Sequence, residues 1–397
     1  MTKINYQQIK QILTRGVEEI IDRQHLEKRL LSGERLRIKH GIDPTGPKIH
    51  LGRATQFWKL REFQELGHQI VLIIGDYTAQ IGDASDKLAT RRILSEKEVK
   101  ENLKNYTQQI GKILNLKKTE LHYNSEWHKK LSAKDLLNLA MKFTAQQMIQ
   151  RRNFKERWEQ GKEIGLHELT YPLFQGYDSV MVKADLEIGG SDQLFNLLAG
   201  RKIQEFFGQP VQDIITLKML EGLDGQKMST SWGNVVNIVD PPNEMYGKLM
   251  SMRDEMILPY FELCTKVPIE EIKKAEREMK QGANPRDFKA KLAFEIVKIY
   301  HGENAANEAE KGFEKVFKKR EMPTEMQKSK VKSQKYRIID LLVETKLTPS
   351  KSQARRLVEQ GGVKIDGKVI DDWQKEIIVH QGMIVQVGPR RFVRLDI

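Results

Sequence analysis

The spacing of apolar positions changes twice in the first fifth of the chain, and each change marks a predicted element. After a helical lead-in, Arg35-Leu36-Arg37-Ile38-Lys39-His40-Gly41 alternates like a short strand and runs into the turn cluster Asp43-Pro44-Thr45-Gly46-Pro47. Ala54 to Leu66 then has helical spacing, with Phe57, Leu60 and Phe63 on one face and Gly67 as its stop. Gln69 to Ile74 is a continuous apolar run of buried-strand length, closed by Gly75-Asp76. Strand, tight loop, helix and buried strand make a βαβ unit. Such a unit predicts a parallel sheet with helices on its faces and ligands beyond the carboxyl ends of the strands. His50 and Gly52 fall at that edge, where the helix begins.

From Glu96 to Gln160 the pattern is helix-rich, with strand signals only at Glu120 to Tyr123. Alternation returns at Val180 to Ile188, followed by the loop Gly189-Gly190-Ser191-Asp192-Gln193, a helix through Phe206 and a short strand at Ile214 to Leu217. An insertion dividing two halves of one sheet accounts for this order. Beyond Pro241-Pro242 the spacing is helical to about Lys319, and Glu321 to Gln334 is polar and lysine-rich, as in an exposed linker. Near the end, Ser350 after Pro349 is a candidate helix cap, Gly361-Gly362 a stop, and Asp366-Gly367 a hairpin turn.

Composition narrows the class. The 397 residues are 39% apolar, enough for two or three domains with a sizeable core. No run approaches the roughly 18 apolar residues of a membrane span, and the start lacks an apolar signal core, so a cytoplasmic location without a membrane partner is expected. The single cysteine, Cys264, excludes an internal disulfide and a cysteine metal cage, and reads as buried filler. A net charge of +13 favours a polyanionic partner. From Lys328 onward, 15 Lys and Arg face 8 Asp and Glu, which concentrates about half of that excess in the tail.

Two short words carry candidate chemistry: Asp43-Pro44-Thr45 with His50-Leu51-Gly52-Arg53, and, past the middle, Lys227-Met228-Ser229-Thr230-Ser231. In that order they resemble the HIGH and KMSKS signatures of class I aminoacyl-tRNA synthetases. Activating a carboxylic acid with ATP needs no covalent enzyme intermediate. The protein must position two ligands and stabilise charge moving onto pyrophosphate. Thr45, His50, Lys227, Ser229, Thr230 and Ser231 are donors of that kind. Gly52 lets backbone approach a nucleotide at a helix start.

With Tyr171-Pro172-Leu173-Phe174-Gln175-Gly176-Tyr177-Asp178, the chain resembles the bacterial tyrosyl-tRNA synthetases nearly end to end. The resemblance implies an α/β fold: a Rossmann-like parallel-sheet catalytic domain with a helical insertion (1–235), an α-helical anticodon-side domain (236–320), a linker (321–334) and a small α+β RNA-binding domain (335–397). It implies formation of tyrosyl-adenylate from L-tyrosine and ATP with Mg²⁺, transfer to tRNA(Tyr), and a homodimer. Tyr171, Gln175 and Asp83 would hold the substrate amino group, Asp178 its phenol, Gln193 its carboxylate, and Gly190 and Asp192 the ribose. The tail resembles the RNA-binding module of ribosomal small-subunit protein four, with Lys351, Arg355 and Arg356 as phosphate contacts.

Several positions depart from the family pattern. Lys39 and His40 replace the tyrosine and cysteine of the better-known branch. Together with Tyr123-Asn124-Ser125-Glu126-Trp127 they resemble a second bacterial branch, so phenol recognition is not carried over to Lys39. Arg53 replaces the second histidine and Thr230 the second lysine, and Arg53 is a candidate for the missing cation. Ala84 and Asp86 alter the loop beside Asp83. Two other readings remain at this stage: a paralogue that loads tyrosine on a non-tRNA acceptor, and a non-catalytic RNA-binding protein on a synthetase scaffold.

Overall fold

The apolar run Gln69–Ile74 forms the strand at the heart of the sheet, and Ile70 through Ile74 are fully buried. In the computed structural model, residues 6–83, 94–228, 233–318, 327–331, 333, 335–388 and 391–396 are described. The chain divides into two compact units, Met1–Glu303 and Asn304–Ile397.

The strands of the first unit are β1 (Val17–Ile21), β2 (Arg37–Ile42), β3 (Gln69–Ile74), β4 (Thr119–Tyr123), β5 (Leu186–Gly190) and β6 (Asp213–Leu217). They form one sheet in the order β1-β6-β5-β2-β3-β4. β2 to β6 run parallel, and β1 closes one edge antiparallel to β6. Sequence order therefore runs one way from β2 through β4 and the other way from β5 to β6. The reversal lies between β2 and β5, where open α/β sheets bind ligands. β2 follows β3 along its whole length but meets β5 only at Ile38↔Leu186 and Lys39↔Glu187. Beyond Lys39 no further pairing joins the two strands, so the edge at their carboxyl ends is where such a sheet has its crevice.

Three expectations about elements are corrected. The lead-in is not wholly helical: β1 lies between helices Tyr6–Ile12 and Arg23–Leu31. The first crossover helix spans Leu51–Glu65, starting before Ala54, so His50 is its N-cap and Gly52 lies in its first turn. Val180 and Val182 belong to the end of helix Leu166–Val182, which Lys183 terminates at φ 49°, and only Leu186–Gly190 is strand. That helix is buried on several sides, so its apolar positions mimic strand alternation. Pro172 sits inside it. Gly176 lies against Ala199 of helix Leu194–Phe206, where a Cβ would come within 3.2 Å of backbone, so the two helices pack closely.

Helices between Pro242 and His301 belong to the same unit as the sheet. Trp58 Nε1 donates to Tyr300 Oη at 2.9 Å, and Tyr260 Oη donates to Glu221 O at 2.8 Å. Cys264 is buried, and burial pushes its thiol pKa up.

In the second unit, helices Ile338–Glu344 and Lys351–Glu359 pack with a five-stranded sheet through Leu341, Leu342, Ala354, Val358, Val385 and Val387. Ser350 caps the second helix by accepting from Gln353 N. Asp366 (φ 45°) and Gly367 (φ 82°) make the hairpin turn between Val363–Ile365 and Lys368–Ile370, the left-handed pair a two-residue turn requires. The linker expectation does not hold at Gln327–Lys330, a strand that pairs parallel with Arg391–Asp396 at the sheet edge. An edge strand needs only backbone pairing, so its polar sequence carries no alternation signal.

Candidate active site

The two signature words meet at one place. Leu51 N donates to Val236 O and Ile238 N to Ile49 O, both at 2.9 Å, which ties the His50 segment to the chain just after the lysine loop. A Cβ on Gly52 would lie 2.8 Å from Met228 Sδ and 3.2 Å from His50 Nδ1. Glycine therefore keeps the helix start open beside the loop. Lys227 is exposed, its backbone pairs with Glu221, and its carbonyl accepts from Asn234 Nδ2 at 3.0 Å. Ser229, Thr230 and Ser231 lie outside the described residues, as do Ala84 and Asp86.

His50 carries no charge at neutral pH: burial, with Arg53 nearby, pushes its pKa down to about 3. It can serve as a neutral hydrogen-bonding ring. Arg53 is half-buried and turned toward the Asp43-Pro44-Thr45 loop. Its Nη2 donates to Thr45 Oγ1 at 2.5 Å, and its Nη1 donates to Asp43 O at 3.1 Å and Tyr106 Oη at 2.6 Å. Because Thr45 accepts from Arg53, its own O–H is left to donate elsewhere.

Across the crevice, Asp178 is 3% exposed. Its Oδ1 accepts from Trp127 Nε1 and from His128 Nε2, both at 2.7 Å, while among the described residues Oδ2 has only a long contact of 3.4 Å to Asn124 Nδ2. Oδ2 is thus the oxygen with capacity for a further donor such as a phenol. From it a hydrogen-bonded chain runs to the other end of the site. Asn124 Nδ2 donates to Thr78 Oγ1 at 3.0 Å, Thr78 donates to Asp43 Oδ1 at 2.8 Å, and Tyr171 Oη donates to Asp43 Oδ2 at 3.0 Å. With its proton directed at Asp43, the Tyr171 hydroxyl acts toward a ligand as an acceptor. Gly75 is required here, since a Cβ would overlap Asp43 Oδ1 and Thr78 Oγ1.

Asp83 accepts from Gln193 Nε2 at 2.7 Å, and Gln193 Oε1 accepts from Asn196 Nδ2 at 2.9 Å. Arg151 Nη2 stands 3.8 Å from Asp83 Oδ1, with its guanidinium 5.0 Å from the Phe154 and Phe195 rings. Gly190 ends β5, where a Cβ would lie 2.6 Å from Asp192 Oδ1 and 3.5 Å from Gln56 Nε2 of the Gly52 helix. The fold therefore brings Thr45, His50, Gly52, Arg53 and Met228 together, and links Asp178 to Tyr171 and Gln193 to Asp83.

Sequence reasoning assigned no role to Asp43, Thr78, Asn124, Trp127, His128 or Tyr106. Asn124, Trp127 and His128 lie at i, i+3 and i+4 around the short helix Ser125–His128, a spacing that places them on one face. That signal is readable from Asn124 to His128. The contacts of Tyr106 and Thr78 arise only from tertiary packing.

In the second unit, Arg355 Nε donates to Glu359 at 2.8 Å and its guanidinium lies 4.4 Å from the Trp373 ring. Lys351 Nζ is 2.6 Å from Asp340 Oδ1. Lys351, Arg355 and Arg356 are all exposed on one short helix.

A parallel sheet whose reversal point gathers a neutral histidine at a helix start, a lysine loop and an acceptor-lined crevice has the layout of a class I aminoacyl-tRNA synthetase. The model of the class I tRNA synthetases for tryptophan and tyrosine matches residues 31–318, and that of the tyrosine–tRNA ligase C-terminal domain matches residues 315–386. The tyrosine–tRNA ligase of Thermotoga maritima is 48% identical over 392 residues, covering 98% of this chain and 97% of that one. That of Aquifex aeolicus is 44% identical over 385 residues, covering 97% of each. The chain belongs to the tyrosine–tRNA ligase family. Its fold is also similar to tyrosyl-tRNA synthetase of Archaeoglobus fulgidus complexed with L-tyrosine, with a TM-score of 0.61 at 22% identity over 77% of this chain and 100% of that one.

Proposed function

We propose that this enzyme binds L-tyrosine across the β2–β5 crevice, with the phenol at Asp178 and the amino group at Asp83, Tyr171 and Gln175. The observation that carries this assignment is the hydrogen-bonded chain from Asp178 Oδ2 through Asn124, Thr78 and Asp43 to Tyr171. It fixes an acceptor at each end of the crevice, which matches a substrate with a phenolic O–H at one end and an ammonium at the other.

In the first step the tyrosine carboxylate attacks the α-phosphorus of ATP. A carboxylate oxygen–phosphorus bond forms, the bond to the pyrophosphate bridging oxygen breaks, and pyrophosphate leaves with the electron pair. Thr45, His50, Lys227, Ser229 and Thr230 are assigned to the phosphates, Arg53 to holding Thr45, Gly52, Gly190 and Asp192 to the nucleoside, and Gln193 to the substrate carboxylate. Donors aimed where charge develops stabilise the transition state more than the ground state. In the second step a ribose hydroxyl of the terminal adenosine of tRNA(Tyr) attacks the activated carbonyl, and AMP departs.

Mg²⁺ is assigned to the nucleotide. Among the described residues no group of three His, Cys, Asp or Glu side chains is placed to hold an ion. The catalytic domain is assigned to 1–235, the helical anticodon-side domain to 236–320, and RNA binding to the tail, beginning with the 327–330 strand. Its phosphate contacts are Lys351, Arg355 and Arg356. A homodimer is supported by exposed apolar side chains on or near the helices flanking the crevice: Leu137, Met141, Leu166, Met181, Phe206 and Phe207. The cytoplasm is the assigned location; among the described residues no helix is long and apolar enough to cross a membrane.

ATP–pyrophosphate exchange with tyrosine, phenylalanine or tryptophan, followed by charging of tRNA(Tyr), tests this reading. Tyrosine-dependent exchange and charging are expected. Exchange without charging would point to another acceptor, and absence of exchange with saturating ATP, Mg²⁺ and tyrosine would refute catalysis.

A further inference from the structure

Lys39 and Glu187 face each other at the last register position that pairs β2 with β5. The side chains are 0% and 1% exposed, with Nζ 2.8 Å from Oε1. Two buried charges are tolerated only when their remaining donors and acceptors are also satisfied. Here all three ammonium hydrogens have partners: Glu187 Oε1, Gln175 O at 2.7 Å and Ser179 Oγ at 2.7 Å. Glu187 accepts in addition from Ser179 Oγ at 3.2 Å, Gln175 Nε2 at 3.2 Å and Gln212 Nε2. The pair therefore grips Gln175 twice, once by its carbonyl and once by its side-chain amide.

The second grip has a chemical sign. A carboxylate can only accept, so Gln175 must present Nε2 to Glu187 and turn Oε1 away. Gln175 is half-buried where Lys39, Ser179 and Glu187 are buried, so the outward end of the amide is the oxygen. Reversing the amide would set Oε1 against the carboxylate of Glu187, two acceptors with no hydrogen between them. Lys39 Nζ pairs with that carboxylate within the protein interior.

We propose that Lys39 and Glu187 are positioning residues that fix the amide of Gln175 with its oxygen toward the crevice, so that the site selects a substrate carrying an α-ammonium group. This inference rests on the reading that Gln175 holds the tyrosine amino group. It gives the Lys39 departure a role in substrate selection without contact with the substrate.

The test is the ratio of dissociation constants for tyrosine and for 3-(4-hydroxyphenyl)propanoate, the same molecule without its amino group. Glu187→Gln supplies an amide that can also donate, so Gln175 is no longer held one way. Tyrosine binding should weaken by about tenfold or more while binding of the desamino acid changes less than about twofold. In exchange, KM for tyrosine should rise with kcat nearly unchanged. Gln175→Ala is the reference. If Gln175→Ala leaves the ratio unchanged, the reading of Gln175 fails and the proposal with it. If Gln175→Ala lowers the selectivity for tyrosine but Glu187→Gln leaves it intact, or weakens both ligands equally, the positioning role is overturned. Should Glu187→Gln not fold, Lys39→Met/Glu187→Met removes the buried charge pair together, and the same selective loss is expected.

Discussion

A Cβ on Gly52 would lie 2.8 Å from the sulfur of Met228, so the glycine of the first signature word abuts the methionine of the second. The approach of a helix start to the lysine loop depends on that missing side chain. Gly52→Ala should leave stability within about 1 kcal/mol, the helix gain being offset by the Cβ pressing on Met228 and His50, yet raise KM for ATP about tenfold or more. Thermal unfolding and exchange kinetics measure both. Met228→Ala added to Gly52→Ala should recover part of the loss, and no recovery would mean that the contact is not the cause.

Arg53 and Thr45 should behave as one unit, since Nη2 to Oγ1 is 2.5 Å. Arg53→Ala and Thr45→Ala are each expected to lower kcat for exchange by about 10–100-fold, a range typical of one lost charge-assisted contact. The double variant should lose no more than about threefold beyond the worse single. Thr230→Lys should add independently to Arg53→Ala, because the guanidinium is engaged with its own loop. Strong coupling between positions 53 and 230 would restore the reading of Arg53 as a substitute cation. Unchanged or improved exchange in Arg53→His would remove Arg53 from the machinery altogether.

Acid should destabilise the fold through buried histidines. Burial lowers the pKa of His40 to about 4, of His50 to about 3 and of His68 to about 4. In the unfolded chain each titrates near 6.5. The unfolded state therefore binds more protons below that pH. Stability is fully present above about 6.5 and falls as pH drops toward 4, by up to about 1.4 kcal/mol per unit for each histidine. Denaturant titrations from pH 7.5 to 5 measure the slope. His68→Gln should flatten it by about a third of the contribution of these three, and an unchanged slope would contradict the assignment to them.

The tail should act on RNA alone. Removing 327–397 deletes the strand that pairs with Arg391–Asp396 together with its partner, so no unpaired edge is left. KM for tRNA in charging should rise by at least about tenfold while exchange changes less than about twofold. Arg356→Ala should lower the salt slope of tRNA binding by about one. Equal losses in exchange and charging would contradict the division of labour.

Much of the architecture was legible because the apolar patterning and the turn residues agree. The β2–helix–β3 unit, the Ser350 cap and the Asp366-Gly367 hairpin follow from local rules. The helix ending at Val182 did not, because burial on several sides removes the polar face that distinguishes a helix from a strand. The strand at 327–330 was hidden because an edge strand needs no apolar alternation. In the site, the short words pointed to His50, Gly52 and Lys227. They could not show that Arg53 turns to Thr45, that His128 and Trp127 share one oxygen of Asp178, or that Lys39 pairs with Glu187. Those relationships join residues far apart in sequence and leave no periodic trace.

The central claim is that Asp178 Oδ2 receives the substrate phenol, and exchange kinetics with tyrosine and phenylalanine on the wild type and on Asp178→Asn test it most directly. A buried acceptor left unpaired by phenylalanine can give discrimination of about 10⁴ to 10⁵, a magnitude known from tyrosyl-tRNA synthetases themselves. The wild type should prefer tyrosine in kcat/KM by that order, and Asp178→Asn should lose at least about a hundredfold of the preference, chiefly through tyrosine. Discrimination unchanged in Asp178→Asn, or a wild type that activates phenylalanine nearly as well as tyrosine, would contradict the account.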